Sequence, residues 1–304
     1  MRPDTGDNGP RGRLVQPGPG TDNGAMRLFD DTPTEERIGD RDLTAWPSRF
    51  GTWLATVALT GARWTSAHAL LVVIAVVGGV FATALTGVSA EIYDAVEDGD
   101  GVTGLDRPAL DTAIRLRTPL ADQVATWFTN LGGPVGMTIL ATVVTVAMAI
   151  AWRSRTPLVL MVIAVAGSLA MTTVGKVLVG RVRPPQSDAV APFESSPSFP
   201  SGHSLNSVVI AGLIAYLLVR RQHHRRSRLL TVTVAAVFAL AMGLSRVFLG
   251  HHWMTDVLVA WTLGLAWLAL VITAHRLFLT VRRARAAAGS PTPGAVAPRT
   301  ASTG

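Results

Sequence analysis

Six apolar runs separated by polar segments limit how this chain can fold more than any other feature. They lie at 69–88, about 135–152, about 157–175, about 204–219, 229–244 and about 254–274. In hydrocarbon a backbone satisfies its hydrogen bonds only in a helix or a closed barrel, and a helix needs roughly 20 apolar residues to cross. The pattern predicts an all-α, polytopic membrane helix bundle with six transmembrane helices. Only 15% of the residues are charged, against about 25% in soluble domains, which agrees with this fold class.

Arginines mark one side of the predicted bundle. The turn between the second and third spans, the turn between the fourth and fifth, and the segment after the sixth contain Arg153, Arg155, Arg220, Arg221, Arg225, Arg226, Arg228, Arg276, Arg282, Arg283 and Arg285. Basic loops stay in the cytoplasm, so both termini are predicted to be cytoplasmic, in a multi-pass protein of the plasma membrane. The same distribution accounts for the net charge of +7 without nucleic acid as a partner. The predicted partner is the lipid bilayer.

The rest of the chain divides around the six spans. Residues 1–47 are rich in Gly, Pro, Asp and Arg and are predicted to be a disordered tail. Residues 48–64 are predicted to form an interfacial helix, and residues 66–276 the six-span domain. Residues 277–304 are first basic and then low in complexity, which predicts a second tail.

The long loop 89–134 falls on the external side of the bundle. Within it Val124, Trp127, Phe128 and Leu131 have helical spacing, which predicts a helix. That helix would lie on the membrane surface, cover an external site, or simply pack on the bundle. The chain has no cysteine, which excludes disulfides and thiolate metal sites.

Three short blocks are predicted to meet at the external face. They read Lys176-x6-Arg183-Pro184, Pro200-Ser201-Gly202-His203 and Ser245-Arg246-x5-His252-x3-Asp256. The first two fall between spans three and four, and the third falls between spans five and six. Since both connections are external, residues far apart in sequence come to one membrane face. Lys176 is the only lysine in a chain that otherwise uses arginine.

The cations in these blocks favour a phosphoryl group as their ligand. Lys176, Arg183 and Arg246 can neutralise the charge that a phosphoryl group spreads over its oxygens during transfer. Ser201 can cap the helix that begins here, and Gly202 lets the backbone approach a ligand, so that free N–H groups face the phosphate.

The histidines supply the groups for covalent chemistry. His252 and Asp256 are four residues apart, so they share one helix face if the sixth span begins by His252. Asp256 can then hold one imidazole nitrogen and leave the other to attack phosphorus, while His203 protonates the leaving oxygen. His251 is the rival nucleophile, but the residue four positions later is Thr255, which cannot orient an imidazole as a carboxylate does. Three cations already supply positive charge, so no metal or cofactor is predicted.

The three blocks together resemble the signature of the type 2 phosphatidic acid phosphatase superfamily, at every signature position. Six spans resemble its membrane branch of lipid phosphate phosphatases, and the resemblance covers roughly residues 66–275. It implies that His252 is a nucleophile forming a phosphohistidine, that Asp256 orients it, and that His203 is the general acid. It further implies phosphate binding by Lys176, Arg183, Ser201, Gly202 and Arg246. Arg181 lies outside the signature and is interpreted as an anchor near lipid headgroups.

Three functions are compatible with this pattern. The first is a metal-independent phosphatase acting at the external leaflet on phosphatidic acid, phosphatidylglycerol phosphate or a polyprenyl diphosphate such as undecaprenyl diphosphate. The second is a phosphotransferase that passes the same phosphoryl group to an acceptor hydroxyl. The third is a transporter that recognises phosphorylated substrates without catalysis. The sequence does not predict which lipid is bound or the oligomeric state.

Overall fold

The computed structural model describes residues 37–38, 41–61, 87 and 104–289. Two short strands, β1 (Arg37–Ile38) and β2 (Arg41–Asp42), pair antiparallel. The helices are α1 (Arg49–Gly61), α2 (Asp106–Leu116), α3 (Pro119–Leu131), α4 (Pro134–Trp152), α5 (Thr156–Val179), α6 (Gly202–Arg221), α7 (Arg225–Phe248) and α8 (Met254–Gly289). The predicted all-α class is confirmed for this part of the chain.

Five of these helices, α4 to α8, are long and apolar enough to cross a membrane. They correspond to the second to sixth predicted spans, and they extend beyond the predicted limits. Helix α7, predicted at 229–244, begins at Arg225 and ends at Phe248, because polar residues at both ends of the apolar run continue the helix. The first predicted span, 69–88, lies outside the described residues except for Gly87. Six spans and cytoplasmic termini therefore stay predictions.

Helix α6 is the centre of the bundle and packs against α4, α5, α7 and α8. Its residues Leu205, Val209, Leu213 and Leu217 recur at intervals of four and are fully buried, so one continuous stripe faces the core. Glycines let neighbouring helices approach closely, as at interfaces between membrane helices. A Cβ at Gly212, for example, would stand only 2.3 Å from Leu268 Cδ2.

The ends of four spanning helices meet on one side of the bundle. Helices α4 and α5 are joined by a turn at 153–155, which contains two arginines, and α6 and α7 by a turn at 222–224, which has arginines on both sides. The other ends of these helices lie opposite these turns. Helix α6 begins next to α8, because Ser201 N donates to Asp256 O at 3.4 Å. The three sequence blocks lie at this end of the bundle.

Helices α2 and α3 cover this end. Helix α2 packs on α7 and α8, and α3 packs on α4 and α7. The predicted loop helix is therefore present as α3. Its Phe128 ring meets Phe238 with centroids 5.8 Å apart, while the side chains of Val124 and Trp127 point outward, with Trp127 74% exposed. The helix packs on the bundle with one face and presents an apolar stripe with the other.

Both domain boundaries predicted near the termini fall on ordered structure. Residues 41–47, assigned to the disordered tail, contact α8: Arg276 Nε donates to Leu43 O at 2.9 Å, and its guanidinium lies 4.3 Å from the centre of the Trp46 ring. Helix α8 continues through the predicted boundary at residue 276 to Gly289, since the basic stretch after it consists of good helix formers. Helix α1 covers residues 49–61 of the predicted interfacial helix.

Candidate active site

Two glycines shape the segments that carry the site residues. Gly180 ends α5 with a φ of +59°, and its N–H donates to Lys176 O at 3.1 Å. Gly250 follows α7 with a φ of +71°, and a Cβ there would stand 2.4 Å from Asp188 O. Left-handed backbone favours glycine, and the second position also has no room for a side chain. The chain can therefore turn sharply from each helix into the site.

His252 lies before α8 rather than in it, since the helix begins at Met254. This start agrees with the predicted span of about 254–274, but the condition under which His252 and Asp256 would share one helix face is not met. The reason is a turn in which the backbone N–H groups of His251 and His252 both donate to Arg246 O, at 3.0 and 3.3 Å. The expected pairing forms nevertheless, because His252 Nδ1 lies 3.5 Å from Asp256 Oδ2 and both side chains are buried.

Asp256 is held by several donors besides His252. Its Oδ2 accepts from the backbone N–H of Trp253 at 3.0 Å and from the hydroxyl of Ser198. Ser198 Oγ also lies 3.5 Å from His252 Nδ1. The carboxylate is thereby fixed beside one nitrogen of the imidazole, which leaves the second nitrogen to face elsewhere.

That second nitrogen faces a cation. His252 Nε2 lies 3.2 Å from Arg183 Nη1. Burial lowers the pKa of His252 to about 4, and the neighbouring Asp256 only partly offsets this effect. The imidazole is therefore neutral at neutral pH, which is the form that can act as a nucleophile.

Arg183 and Arg246 converge on one carboxylate that the sequence analysis did not single out. Glu194 Oε2 lies 2.7 Å from Arg183 Nη2, and Glu194 Oε1 contacts Arg246 Nη2. Burial raises the pKa of Glu194, but the charges of Arg246 and Arg183 outweigh it and lower the pKa to about 2. The two arginines predicted to bind phosphate thus share a single anion in this structure.

The remaining contacts of the cations come from the loop 180–201 and from α3. Lys176 Nζ donates to Ser196 Oγ at 3.0 Å and to the carbonyl of Pro197. Arg183 Nε donates to Ser196 O at 2.6 Å. Arg246 is 2% exposed and donates to Thr129 Oγ1 at 3.1 Å. Lys176 and Arg183 therefore share Ser196, and Arg183 and Arg246 share Glu194. The three cations predicted for the site form one cluster that α3 contacts through Thr129.

The start of α6 supplies the remaining residues predicted for the site. Ser201 is the N-cap of α6, as predicted, with its hydroxyl oxygen accepting from Ser204 N. Gly202 packs closely on α5, where a Cβ would stand 3.2 Å from Thr172 Cγ2. His203 Nε2 points towards the start of α4, 3.6 Å from where a Cβ on Gly133 would stand. His203 and His252 both lower the pKa of Glu194, so both rings lie near the carboxylate.

Arg181 was interpreted as an anchor near lipid headgroups, and that interpretation is wrong. Its guanidinium is buried between two carboxylates, with Nη1 2.6 Å from Asp256 Oδ1 and Nη2 2.6 Å from Asp106 Oδ2. Asp106, from α2, also accepts from Thr255 N at 2.8 Å. No spacing in the sequence links Asp106 to Arg181, because 75 residues separate them. The network balances the charge of the buried Asp256.

Replacing Arg181 by Ala is expected to destabilise the fold. The change leaves Asp106 and Asp256 buried without their cation, which costs about 3–5 kcal/mol in comparable buried pairs. Thermal unfolding in detergent measures the effect. The control is Arg107→Ala, which breaks ion pairs of a 57% exposed side chain and is expected to change the free energy of unfolding by at most about 1 kcal/mol. Equal effects of both changes would contradict this assignment.

His251, the rival nucleophile, has a structural contact instead. Its Nε2 lies 2.7 Å from Val190 O, within hydrogen-bonding distance. This contact ties the turn after α7 to the loop 180–201. Among the residues that the structure describes, no group of three or more His, Cys, Asp or Glu side chains could hold a metal ion.

Comparisons with known proteins agree with this arrangement. The family model of the PAP2 superfamily matches residues 157–279. Phosphatidylglycerophosphatase B of Bacillus subtilis (strain 168) is 33% identical over 176 residues, which cover 57% of this chain and 84% of that protein.

Two solved structures are also similar. The crystal structure of the first transmembrane PAP2 type phosphatidylglycerolphosphate phosphatase from Bacillus subtilis has 30% identity and a TM-score of 0.55, and the match covers 62% of this chain and 92% of that one. Aquifex aeolicus LpxE has 20% identity and a TM-score of 0.45, over 55% of this chain and 94% of that one.

The chain belongs to the PAP2 superfamily. The predicted class of protein, a membrane lipid phosphate phosphatase, is confirmed. The matched region, 157–279, contains every residue predicted for the site, within α5 to α8 and the segments that join them. Arg246 is also contacted from α3, and Arg181 from α2, so segments outside the match complete the surroundings of the site.

Proposed function

We propose that the protein hydrolyses the terminal phosphate of a lipid phosphate or diphosphate through a phosphohistidine at His252. The observation that carries this proposal is the position of the His252 ring. One nitrogen faces Asp256, and the other is 3.2 Å from Arg183, which shares Glu194 with Arg246 and Ser196 with Lys176. A phosphoryl group bound to these cations would stand within reach of a neutral imidazole nitrogen.

The first step transfers the phosphoryl group to the protein. His252 Nε2 attacks phosphorus, the bond from phosphorus to the lipid oxygen breaks, and His203 gives that oxygen a proton. Asp256 stabilises the positive charge that develops on the His252 ring, as a buried carboxylate does beside an imidazolium. Arg183, Arg246 and Lys176 neutralise the phosphoryl oxygens, and the backbone at Gly202, at the start of the helix that Ser201 caps, adds an N–H donor.

The second step releases phosphate. A water molecule gives a proton to His203, attacks phosphorus and breaks the bond to His252 Nε2. The products are inorganic phosphate and the dephosphorylated lipid, and both histidines return to their starting protonation. Three protein cations supply the charge stabilisation in both steps, so we expect hydrolysis to proceed without a divalent metal ion.

The position of the site favours a lipid substrate at the extracytoplasmic face of the plasma membrane. The site lies at the end of the spanning helices that is opposite the connections 153–155 and 220–228, where the arginines are, and basic connections remain in the cytoplasm. A headgroup could enter this end while its chains stay in the bilayer. Similarity to a phosphatidylglycerophosphatase supports phosphatidylglycerol phosphate among the candidate substrates, beside phosphatidic acid and undecaprenyl diphosphate.

Phosphate release by the purified protein in detergent, with a chelator present, tests this function. The substrates are phosphatidylglycerol phosphate, phosphatidic acid and undecaprenyl diphosphate, and the products are analysed in the presence and absence of an alcohol acceptor. Release of inorganic phosphate from at least one lipid is expected. Transfer to the alcohol alone would identify a phosphotransferase, and absence of any turnover would contradict the proposal.

The role of His203 predicts a dependence on the leaving group. His203→Ala is expected to slow hydrolysis of a lipid phosphate by about 10²–10⁴-fold, the usual contribution of a general acid. The loss should be much smaller for p-nitrophenyl phosphate, whose leaving oxygen needs no proton. The comparison is the rate at which each substrate loses its leaving group in a single turnover, because His203 also serves the second step, which is the same for both substrates. His223→Ala in the exposed turn 222–224 is the control. Equal losses on both substrates would contradict proton donation by His203.

A further inference from the structure

The carboxylate of Glu194 stands where the substrate's phosphate has to bind. Its two oxygens take one N–H group from each arginine, Oε2 from Arg183 at 2.7 Å and Oε1 from Arg246. Arg183 also places its other terminal nitrogen 3.2 Å from His252 Nε2. A phosphoryl group that touches both arginines and is open to attack by His252 must therefore take the place of this carboxylate.

The negatively charged side chain of Glu194 lies between two arginines that are predicted to bind phosphate. The charges of the two arginines keep its pKa at about 2, so it is ionised at neutral pH. Its side chain is 30% exposed, whereas Arg246 is 2% exposed. Arg246 is thus held by α7 and α3, whereas Arg183 and Glu194 both belong to the loop 180–201 at the edge of the site.

A cavity next to Glu194 has room for its side chain when a phosphate takes its place between the arginines. The cavity, of about 420 Å³, is lined by Glu194 and Arg183 together with Val182, Gln186 and Phe193. A turn of the Glu194 side chain into this cavity would free both arginines without unfolding any helix. The side chain would remain close to Arg183 and could return when the site empties.

We propose that Glu194 acts as an internal substitute for phosphate that every ligand must displace, and that it thereby keeps the phosphodiester headgroups of the surrounding bilayer out of the site. This inference rests on the proposed function. Because the cost of displacement is the same for all ligands, it lowers every apparent affinity by one factor. A monoester or terminal diphosphate, with a charge near −2 at neutral pH, still binds. A phosphodiester has only one charge and a weaker affinity before displacement is counted, so the same factor reduces its occupancy of the site to a low level, although it surrounds the site at high concentration.

The experiment compares wild type with Glu194→Gln and Glu194→Ala in detergent micelles. A short-chain phosphatidic acid is the substrate, and short-chain phosphatidylglycerol, a phosphodiester, is the inhibitor. Diacylglycerol, which has no phosphate, controls for dilution of the substrate in the micelle. The control variant is Asp111→Asn, which removes one carboxylate from the exposed face of α2.

We expect KM for phosphatidic acid and the inhibition constant of phosphatidylglycerol to fall together by about tenfold in both Glu194 variants, with kcat little changed. Asp111→Asn should change neither constant. Unchanged constants in the Glu194 variants, or a large loss of kcat in both, would overturn the proposal. Phosphate release by Glu194→Gln that still requires His252 would leave the proposed function intact even if the inference about Glu194 fails.

Discussion

Replacement of His252 by Ala is expected to abolish phosphate release from every lipid substrate, with a loss of roughly 10⁴-fold or more in kcat, as when the nucleophile of a covalent mechanism is removed. The physical reason is that no other described side chain combines a neutral imidazole nitrogen 3.2 Å from Arg183 with a buried carboxylate behind the ring. The measurement is kcat with purified protein in detergent.

His251→Gln is the matched control for this change. The Nε2 atom of His251 lies 2.7 Å from Val190 O, and the side-chain amide of Gln can donate a hydrogen bond to this carbonyl in its place. We expect the Gln variant to keep activity within about tenfold of wild type, as for the loss of a neutral hydrogen bond of about 1 kcal/mol. Equal loss in both variants would contradict the distinct roles of the two histidines.

Asp256→Asn is expected to lower kcat by about 10³–10⁴-fold with little change in KM, by analogy with loss of the orienting carboxylate in serine proteases. The amide is nearly isosteric, so the fold has room for it. In this variant the amide oxygen can replace Oδ1 of the carboxylate and continue to accept from Arg181. The amide NH2 group then replaces Oδ2, so that a donor faces the N–H of Trp253 and the Nδ1 of His252, which both need an acceptor. The imidazole then loses both its orientation and the anion that stabilises its charge.

Equilibrium binding of orthovanadate, a phosphate analogue, separates this effect from damage to the pocket. The cations Lys176, Arg183 and Arg246 are untouched by Asp256→Asn, so vanadate affinity should stay within about tenfold of wild type. A variant that loses vanadate binding in parallel with kcat would show that Asp256 supports the whole pocket. A variant with full activity would remove Asp256 from the mechanism.

The convergence of the site could be predicted because membrane helices leave few topologies. Once the apolar runs are assigned as membrane spans, every second connection lies on the same side of the membrane. Arg183 and His203 therefore lie at the same end of the bundle as His252. The types of residue then indicate their chemistry. Helix limits were less predictable, since a residue such as Arg225 can continue a helix beyond its apolar run.

Ion pairs between segments far apart along the chain could not be predicted from the sequence. Arg181 and Asp106 look like isolated charges along the chain. Only the packing of α2 against α8 brings Asp106 to Arg181, which in turn pairs with Asp256. Glu194 is similar, since it is an acidic residue in a polar loop until the fold sets it between Arg183 and Arg246. The role of a charged residue near a catalytic motif therefore depends on its buried partner, and the fold rather than the local sequence determines that partner.

The phosphoryl-enzyme intermediate itself provides the most direct test. The purified protein is mixed with a lipid phosphate labelled with ³²P in its terminal phosphate, quenched rapidly in alkali, digested and analysed by fragmentation of the labelled peptide. The proposed mechanism predicts an alkali-stable, acid-labile label on His252, absent from His252→Ala. Label on His251 or on a carboxylate, or turnover with no labelled protein at any time, would contradict the assignment of His252 as the nucleophile.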